Sequence, residues 1–413
     1  MWKKLINTIF SVDDYTKKTY SYPPLILDEP KSKIDSNLAY LIHQEDTRQK
    51  SVHNFIASEN YASTEVLNLC GSSFANKYAE GYPGKRYYNG CKNYDELETY
   101  GIDLVKKLYG CNFANIQPHS GANANLAIFK AFLKPGDTIL GMDLSAGGHL
   151  SYGSPANISG KWFDSSSYEV DKNGWLNYDK IQKHANQVQP KLIIAGASAY
   201  PRQIDFKKFR EIADSVGAYL LVDMAHYSGL IAGGVYDSPL PYADFVTSTT
   251  HKTLRGARGG MILWNAEKYS SKINQGIFPG TQGGPLMNQI AGKVQAFSEA
   301  LQPEFKKYSI GVVNTAKFMC DILKQRGIEL ITDGTDSHII LINTGDKSGK
   351  DVANILEQKY NITVNKNSIP NDPKGVWETS GIRIGTAAMV TKRGYNPKYF
   401  KEVANKIADT ILN

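Results

Sequence analysis

The sequence has few cysteines, no long hydrophobic run and little excess charge of either sign. Its four cysteines include no CxxC pair, which argues against a disulfide scaffold or a structural zinc site. No stretch of 18 apolar residues occurs, so we predict no membrane-spanning segment. The amino-terminal residues lack the small-residue cleavage site of a secretory signal, and we expect a cytoplasmic protein. A net charge of +7 over 413 residues favours small anionic ligands and is weak evidence for nucleic-acid binding.

The length predicts more than one structural domain, because 413 residues exceed what one hydrophobic core usually organises. With 41% hydrophobic and 21% charged residues, the composition is that of an ordinary globular protein. Residues 1–36 contain three prolines and mixed charge, and we interpret them as an amino-terminal arm. We expect a large domain over residues 37–305, which begins with a helical segment, and a small carboxy-terminal domain over residues 306–413.

Apolar runs and amphipathic helices alternate through the middle of the chain. Runs such as KLIIAGAS, AYLLVDMAH and GGMILWN are nearly continuous in apolar residues, which is typical of strands buried on both faces. These strands, with helices between them, predict an α/β fold with a central, mostly parallel sheet. After Pro285 two long helical stretches follow, and the last hundred residues have the pattern of a small α+β domain.

A lysine follows one of the predicted strands directly, in STTHKTLRGARGG. The carboxyl ends of parallel strands open onto ligand crevices, so Lys252 is a candidate for covalent chemistry with a carbonyl group. The alternative is a solvated loop lysine. In AYLLVDMAH, Asp223 and His226 stand at the end of another apolar strand, where a carboxylate needs a charged or hydrogen-bonding partner.

Lysine and aspartate in these positions suggest pyridoxal phosphate, because an ionised carboxylate keeps the pyridine ring protonated as an electron sink. In QPHSGANANLAIF, a strand leads through Ser120 and Gly121 into a helix. The free backbone N–H groups of such a helix favour a phosphate. On its own, this junction is weak evidence for a phosphate site.

Three further features fit a site for an amino-acid substrate. His149 follows paired glycines, where an imidazole could stack on a cofactor ring or simply pack in a loop. Arg383 lies within a strand-like run, where a guanidinium group is costly unless it meets a carboxylate. Several tyrosines surround Glu80 in NKYAEGYPGKRYYNG, which by itself could be a surface loop at an interface.

Ten ordered motifs resemble those of the serine hydroxymethyltransferase family. They are IASENY (56–61), NKYAEGYPGKRYY (76–88), QPHSG (117–121), GGHL (147–150), SAYPR (198–202), VDMAH (222–226), TTHKTLRG (249–256), QGGP (282–285), VNKNSIPNDP (364–373) and SGIRIGT (380–386). The resemblance extends from about residue 37 to the end. It implies the fold-type-I architecture of pyridoxal-phosphate enzymes, which is similar to aspartate aminotransferase.

The resemblance also implies an activity and an assembly. The expected reaction interconverts L-serine plus tetrahydrofolate and glycine plus 5,10-methylenetetrahydrofolate, with pyridoxal 5'-phosphate as cofactor and tetrahydrofolate as co-substrate. Lys252 would form the internal aldimine with the cofactor. The expected assembly is a homodimer with shared active sites, with a tetramer left open, and no metal is implied.

By resemblance, the cofactor-binding residues are those that hold the pyridine ring, its phenolic oxygen and the phosphate. His149 would stack on the ring, Asp223 would pair with its nitrogen, and His226 and Ser198 would lie at the phenolic oxygen. The Ser120–Gly121–Ala122 turn and His251 would hold the phosphate. Tyr78 and Gly284 would reach this site from a second subunit.

The substrate-binding residues are also assigned by resemblance. Arg383, with Ser58 and the Tyr88 of a partner subunit, would bind the serine carboxylate, and Arg258 would support the tyrosine loop. Glu80 would transfer protons between the serine hydroxyl and the folate. The remaining folate contacts would come from Tyr87, Leu144, Gly148, Leu150, Asn367 and Phe278, the last from the neighbouring chain.

The sequence departs from the family pattern at three places. Asn123 stands where Gln or Pro is usual, Ala257 replaces a usual proline, and Gly375-Val376-Trp377 fills a loop that often contains Ser-Pro-Phe. Two alternatives stay open: a folate-independent aldolase of the same architecture, and a non-catalytic RNA-binding protein that kept the fold. Glu80, Tyr87 and Asn367 favour the folate enzyme over the first, and Lys252, Asp223 and Arg383 argue against the second.

Overall fold

The structure is a computed structural model that describes residues 34–413. Residues 1–33 of the predicted arm lie outside the described residues. Two compact units are separated at Ser51, and the second unit comprises Val52–Asn413. Within the first unit, helix α1 (Ser36–Ser51) is capped at its start by the Asp35 carboxylate, which accepts hydrogen bonds from two backbone N–H groups. This helix confirms the predicted helical segment, although it contains no buried residue.

Fourteen strands and thirteen helices make up the described part of the second unit. The strands are β1 (His53–Asn54), β2 (Gly81–Tyr82), β3 (Lys85–Arg86), β4 (Phe113–Asn115), β5 (Thr138–Met142), β6 (Asp164–Tyr168), β7 (Leu192–Ala195), β8 (Tyr219–Asp223), β9 (Phe245–Thr249), β10 (Gly260–Trp264), β11 (Ile339–Asn343), β12 (Ile362–Thr363), β13 (Asn365–Asn367) and β14 (Gly381–Gly385). The helices are α2 (Thr64–Cys70), α3 (Lys92–Tyr109), α4 (Gly121–Phe132), α5 (Ile158–Trp162), α6 (Tyr178–Val188), α7 (Phe206–Ser215), α8 (Ser228–Ala232), α9 (Ser270–Ile277), α10 (Met287–Ala300), α11 (Pro303–Gln325), α12 (Gly349–Tyr360), α13 (Ala387–Arg393) and α14 (Pro397–Leu412).

A seven-stranded sheet with the order β4-β10-β9-β8-β7-β5-β6 forms the centre of this unit. All of its strands run parallel except β10, which is antiparallel to both of its neighbours. Every residue of β7, β9 and β10 is buried, as the continuous apolar runs predict. The α/β class and the mostly parallel sheet are therefore confirmed.

The sheet edge formed by β6 was not found from the sequence. Its residues, DSSSY, are mostly polar, and all but the last are exposed or only partly buried. A strand at the edge of a sheet needs fewer apolar contacts than a central one, so it carries little hydrophobic pattern.

Helices cover the sheet, and one of them, α4, begins where the predicted site residues lie. Helix α4 packs on β9 and β10, and α10 packs against α2 and α3. The side chain of Ser120 caps α4 by accepting a hydrogen bond from the Asn123 N–H. The start of α4 therefore lies at the carboxyl ends of the central strands.

The last hundred residues contain a second, antiparallel sheet of three strands in the order β11-β14-β13. Helices α12 and α14 pack against each other beside it. The short strand β1 pairs with β12, and the backbone of Phe55 bonds to Thr363 (2.9 Å) and Gly385 (2.8 Å). The segment that follows α1 is thus joined to the carboxy-terminal region. The predicted domain boundary at residues 305/306 stays a prediction.

Among residues 34–413, no helix has the length and apolar character needed to cross a bilayer.

Candidate active site

Lys252 and Asp223 lie at the carboxyl ends of two neighbouring parallel strands. Strand β8 ends at Asp223, which pairs in register with Thr247 of β9, and Lys252 follows β9 by three residues. Burial lowers the pKa of Lys252 to about 8, while the nearby Asp223 carboxylate opposes this shift and Arg383 adds to it. The two residues predicted from the sequence, Lys252 and Asp223, therefore lie together at the carboxyl ends of the central strands.

The Asp223 carboxylate is 7% exposed and is hydrogen-bonded through both oxygens. The Ala225 N–H donates to Oδ1 (3.0 Å), and the Asn125 amide donates to Oδ2 (2.9 Å). Asn125 also accepts a bond from the Thr247 hydroxyl (2.6 Å). The sequence analysis missed Asn125 and Thr247. A polar residue on the buried face of α4, one turn after Gly121, is the pattern that could have revealed Asn125.

The His149 ring is held in one tautomer. Its Nδ1 lies 3.2 Å from the Ser151 backbone N–H, which can only donate, and 2.8 Å from the Ser151 hydroxyl. The ring proton therefore belongs on Nε2. Burial lowers the pKa of His149, although Asp223 opposes the shift, so the ring is neutral at physiological pH.

His226 is buried against a second histidine that the sequence analysis missed. The two rings stack with centroids 5.6 Å apart, and His226 Nδ1 lies 3.4 Å from His338 Nε2. His338 Nε2 donates to the Ala57 carbonyl (3.1 Å), so this nitrogen carries the proton. His226 Nδ1 therefore faces a donor, which leaves Nε2 as its protonated nitrogen. Burial lowers the pKa of His338 to about 3 and that of His226 well below its usual value.

Arg383 in β14 is only 9% exposed. Its Nη1 donates to the Ser198 carbonyl (2.6 Å) and its Nη2 to the Asn365 side chain (2.6 Å). Within the described residues, the buried Nε has no hydrogen-bond partner. Burial lowers the pKa of Arg383 to about 10, so the guanidinium stays charged. A buried, charged and incompletely paired arginine is suited to a carboxylate ligand.

The start of α4 is where the sequence predicts a phosphate site, which we call the predicted cradle. The Ser120 hydroxyl donates to the Asn123 side chain (2.7 Å) while it caps the Asn123 N–H (3.1 Å). A Cβ on Gly121 would come within 2.7 Å of Thr249, so only glycine lets the helix approach β9 this closely. Ala122 is exposed in the first turn. His251 adds a buried Nδ1 without a partner among the described residues, and burial lowers the pKa of His251 to about 3.

Lys293 of α10 lies beneath this cradle and was not found from the sequence. Its buried ammonium group donates to the backbone carbonyls of Ile116 (2.9 Å), Pro118 (3.0 Å) and Gly260 (3.1 Å). Burial lowers the pKa of Lys293 to about 7, and Glu98 opposes this shift. A lysine within an amphipathic helix is ordinarily assigned to its solvent face, so nothing in the pattern marked Lys293 as a buried residue.

A second cluster, which we call the tyrosine group, comprises Tyr78, Glu80, Tyr87, Tyr88, Phe278 and Gly284. The rings of Tyr78 and Tyr88 stack with centroids 5.5 Å apart. The rings of Tyr87 and Phe278 meet edge to face with centroids 5.6 Å apart. Gly284 packs against Tyr78 and the Glu80 side chain. The three tyrosines are 63%, 76% and 43% exposed. Outside the group, the Gly284 carbonyl lies 3.2 Å from His119 Nε2, and the Cys91 thiol bonds to the Tyr78 and Tyr88 carbonyls.

The remaining predicted folate residues lie near the carboxyl end of β5. Leu144 and Leu150 are exposed. Leu144 and His149 border a cavity of about 290 Å³. Gly148 is buried, and the Asn367 amide bonds to the Ser368 carbonyl (2.8 Å). Ser58 is half-buried.

Two of the departures from the family pattern have a visible role in the structure. Asn123 binds the Ser120 hydroxyl, as described above, and the carbonyl of buried Ala257 accepts a bond from Thr250 (2.6 Å). In the third departure, Trp377 is exposed and lies under the Lys366 ammonium group.

Comparison with known proteins agrees with this geometry. The serine hydroxymethyltransferase family model matches residues 31–407. Serine hydroxymethyltransferase of Prochlorococcus marinus (strain NATL1A) is 54% identical over 92% of this chain and 93% of its own length. The enzymes of Ehrlichia chaffeensis (52% identical, 94% and 92% covered) and Wolbachia pipientis wMel (55% identical, 91% and 89% covered) are similarly close. The chain therefore belongs to the serine hydroxymethyltransferase family, whose members depend on pyridoxal phosphate and use tetrahydrofolate as co-substrate.

Proposed function

We propose that this chain interconverts L-serine plus tetrahydrofolate and glycine plus 5,10-methylenetetrahydrofolate. One observation carries the proposal: Asp223 ends β8 and Lys252, with its lowered pKa, closely follows β9, so a buried carboxylate and a buried lysine meet at the carboxyl ends of two central strands. Buried Arg383 of β14, incompletely paired among the described residues, is linked to the central-sheet region by its bond to the Ser198 carbonyl. These are the groups needed to hold pyridoxal phosphate and an amino acid together. Family membership supports the same reaction.

The residues present fit pyridoxal phosphate. Lys252 offers an amine that is easily deprotonated, and Asp223 is an ionisable carboxylate fixed by Asn125. The first turn of α4 and the unpartnered Nδ1 of His251 offer donors for a phosphate. When bound, the cofactor supplies an electron sink for cleavage of the bond between Cα and Cβ of serine.

The histidines of the site act as neutral hydrogen-bonding groups. His149 can lie against the cofactor ring with its proton on Nε2, and His226 presents an Nε2–H group for the phenolic oxygen. Ser198 contributes through its backbone, because its carbonyl orients Arg383. A neutral, buried environment of this kind excludes water and strengthens the charge interaction between Lys252 and Asp223.

Arg383 binds and orients the amino-acid carboxylate. Its Nε, which has no partner among the described residues, can bind the carboxylate in a fixed direction, and the family resemblance adds the half-buried Ser58. Fixing the carboxylate sets which bond at Cα is aligned for cleavage, so Arg383 contributes to reaction specificity as well as to affinity.

We propose a homodimer in which the tyrosine group completes the site of the partner subunit. Glu80 and Tyr87 contact residues for which the family resemblance implies a place in the neighbouring site, so all six members would cross the interface together. Glu80 would then hold and move the proton of the serine hydroxyl. The exposed tyrosine rings favour this assembly, because an aromatic patch of this size is typical of an interface.

The experiment that tests the function combines visible absorption with a transfer assay. Pyridoxal phosphate is added to the purified protein, followed by glycine and tetrahydrofolate in turn. We expect a cofactor band that depends on Lys252, and a new band at longer wavelength that becomes strong only when both ligands are present. A cofactor band that ignores tetrahydrofolate would instead favour a folate-independent aldolase, and no cofactor band would contradict the proposal.

A further inference from the structure

The backbone around Glu80 is held by hydrogen bonds to three consecutive carbonyl groups. The Arg86 Nη1 atom donates to the Ala79 carbonyl (2.7 Å) and to the Gly81 carbonyl (2.9 Å), on either side of Glu80. The Tyr87 N–H donates to the Glu80 carbonyl itself (3.0 Å). Gly81 has φ +95°, and a Cβ there would lie 2.3 Å from the Lys85 carbonyl oxygen, so the turn requires glycine.

Arg86 is in turn fixed by two carboxylates. Its Nη2 bonds to Glu98 (2.6 Å) and its Nε bonds to Asp95 (2.8 Å), both from α3. The side chains of Arg86 and Glu98 are almost fully buried. Gln117 donates to the second Glu98 oxygen (2.7 Å) and to the Gly81 carbonyl (3.0 Å). The side chains thus form a closed network around the two carbonyls that flank Glu80.

We propose that Arg86, held by Glu98, is the positioning residue that sets the direction of the Glu80 side chain in the transfer reaction. This inference rests on the proton-transfer role proposed for Glu80. A group that transfers a proton must lie within about 2.6–3.2 Å of its partner atom, so the direction in which Glu80 leaves the backbone decides its activity.

The guanidinium group is suited to this role because its planar set of donors reaches carbonyls and carboxylates at the same time. The ammonium group of a lysine is a single point charge and lacks this planar arrangement of donors. The network also joins the Glu80 loop to Gln117, which is three residues before Ser120 of the predicted cradle.

The test compares the double variant R86M/E98Q with E80Q and with the triple variant that combines them. The glutamine at position 98 avoids leaving an unpaired buried carboxylate, which would threaten folding. We expect R86M/E98Q to lower kcat for serine-to-folate transfer about a hundredfold, because misplacement by about 1 Å has an effect of this size. KM for serine and binding of pyridoxal phosphate should stay within twofold of wild type, since Arg383 and Lys252 are untouched.

The triple variant separates positioning from general stability. If Arg86 acts through Glu80, the triple variant is no slower than E80Q, whereas an independent structural effect would multiply the two losses. The single variant R86K should recover only part of the activity, and K85M, on the same short strand but exposed, serves as the matched control. Wild-type kcat in R86M/E98Q, or multiplied losses in the triple variant, would overturn the proposal.

Hydrogen exchange provides a measurement that does not depend on turnover. In R86M/E98Q the amides of residues 79–87 should exchange at least about tenfold faster, while those of the central sheet are unchanged. Unchanged protection of this segment would overturn the proposed role of Arg86. A wild-type protein that lacks transfer activity would contradict the proposed function, while hydrogen exchange would still decide whether Arg86 holds the Glu80 loop.

Discussion

The site around Lys252, at the carboxyl ends of the central strands, and the tyrosine group differ in how far the residues of one chain bury and hydrogen-bond them. Asp223 and Arg383 are buried and make several hydrogen bonds to residues of the same chain. The tyrosine rings, in contrast, leave up to three quarters of their surface exposed. Both clusters carry residues that the same reaction would need. The difference is the one that the proposed homodimer requires, since exposed aromatic rings would there be covered by the partner subunit.

The largest expected effect concerns the site around Lys252. Lys252→Arg should lower transfer activity at least about a thousandfold, because a guanidinium group cannot replace the lysine amine in covalent chemistry. Borohydride reduction of the wild-type holoenzyme, followed by peptide mass spectrometry, should place the cofactor on the peptide that contains Lys252. Attachment to another lysine would contradict the assignment, and K208R provides a surface control.

The second prediction tests whether the two clusters meet across an interface. Lys252→Ala and Glu80→Gln chains, each expected to be strongly impaired alone, are co-expressed with different tags and the mixed dimer is purified. Because one of its two sites then receives both intact residues, the mixed dimer should show about half of wild-type activity. If Glu80 served the site of its own chain, both sites would be defective and no activity would return.

The third prediction concerns the guanidinium group of Arg383. Arg383→Lys keeps the positive charge but loses the planar arrangement of donors, so KM for serine should rise roughly 10- to 150-fold, which corresponds to about 1.5–3 kcal/mol for a hydrogen bond to a charged group. Pyridoxal phosphate binding should change little, as measured by fluorescence titration. An unchanged KM would show that the carboxylate binds elsewhere.

The smallest expected effect is a shift in the pKa of Lys252 in the cofactor-free protein. The protonated amine dominates below about pH 8 and the free amine above it, because burial disfavours the charge. Asp223→Asn removes a stabilising charge and should move the midpoint to lower pH, whereas Arg383→Met removes a like charge and should move it to higher pH. Isotope-edited NMR of labelled lysine reads both shifts, and shifts of the same sign would contradict the electrostatic account.

The sequence allowed the candidate residues around Lys252 to be selected because they stand at abrupt changes of pattern. Lys252 and Asp223 each follow an apolar strand, and Ser120 and Gly121 stand between a strand and a helix. A polar residue at such a junction is conspicuous, since its neighbours are buried. The assignment of particular roles still required the family resemblance.

The supporting residues could not be predicted in the same way. Asn125, Lys293 and His338 become important only because distant segments fold against them, and a single sequence does not show which distant groups will be their partners. Arg86 belongs to the motif NKYAEGYPGKRYY, which the sequence analysis singled out, but its partner Glu98 lies on helix α3. Long-range pairing of this kind is a property of the tertiary structure.

The pairing of β1 with β12 has a consequence for motion during turnover. Phe55 is bonded on both sides to the carboxy-terminal region, so Ser58, three residues later, is attached to the same piece as Arg383. Lys252 and Asp223 belong instead to the central sheet. A small rigid rotation of the carboxy-terminal region would therefore carry together the two side chains that we propose bind the carboxylate. It would open or close the substrate end while the proposed attachment point, Lys252, stays in place.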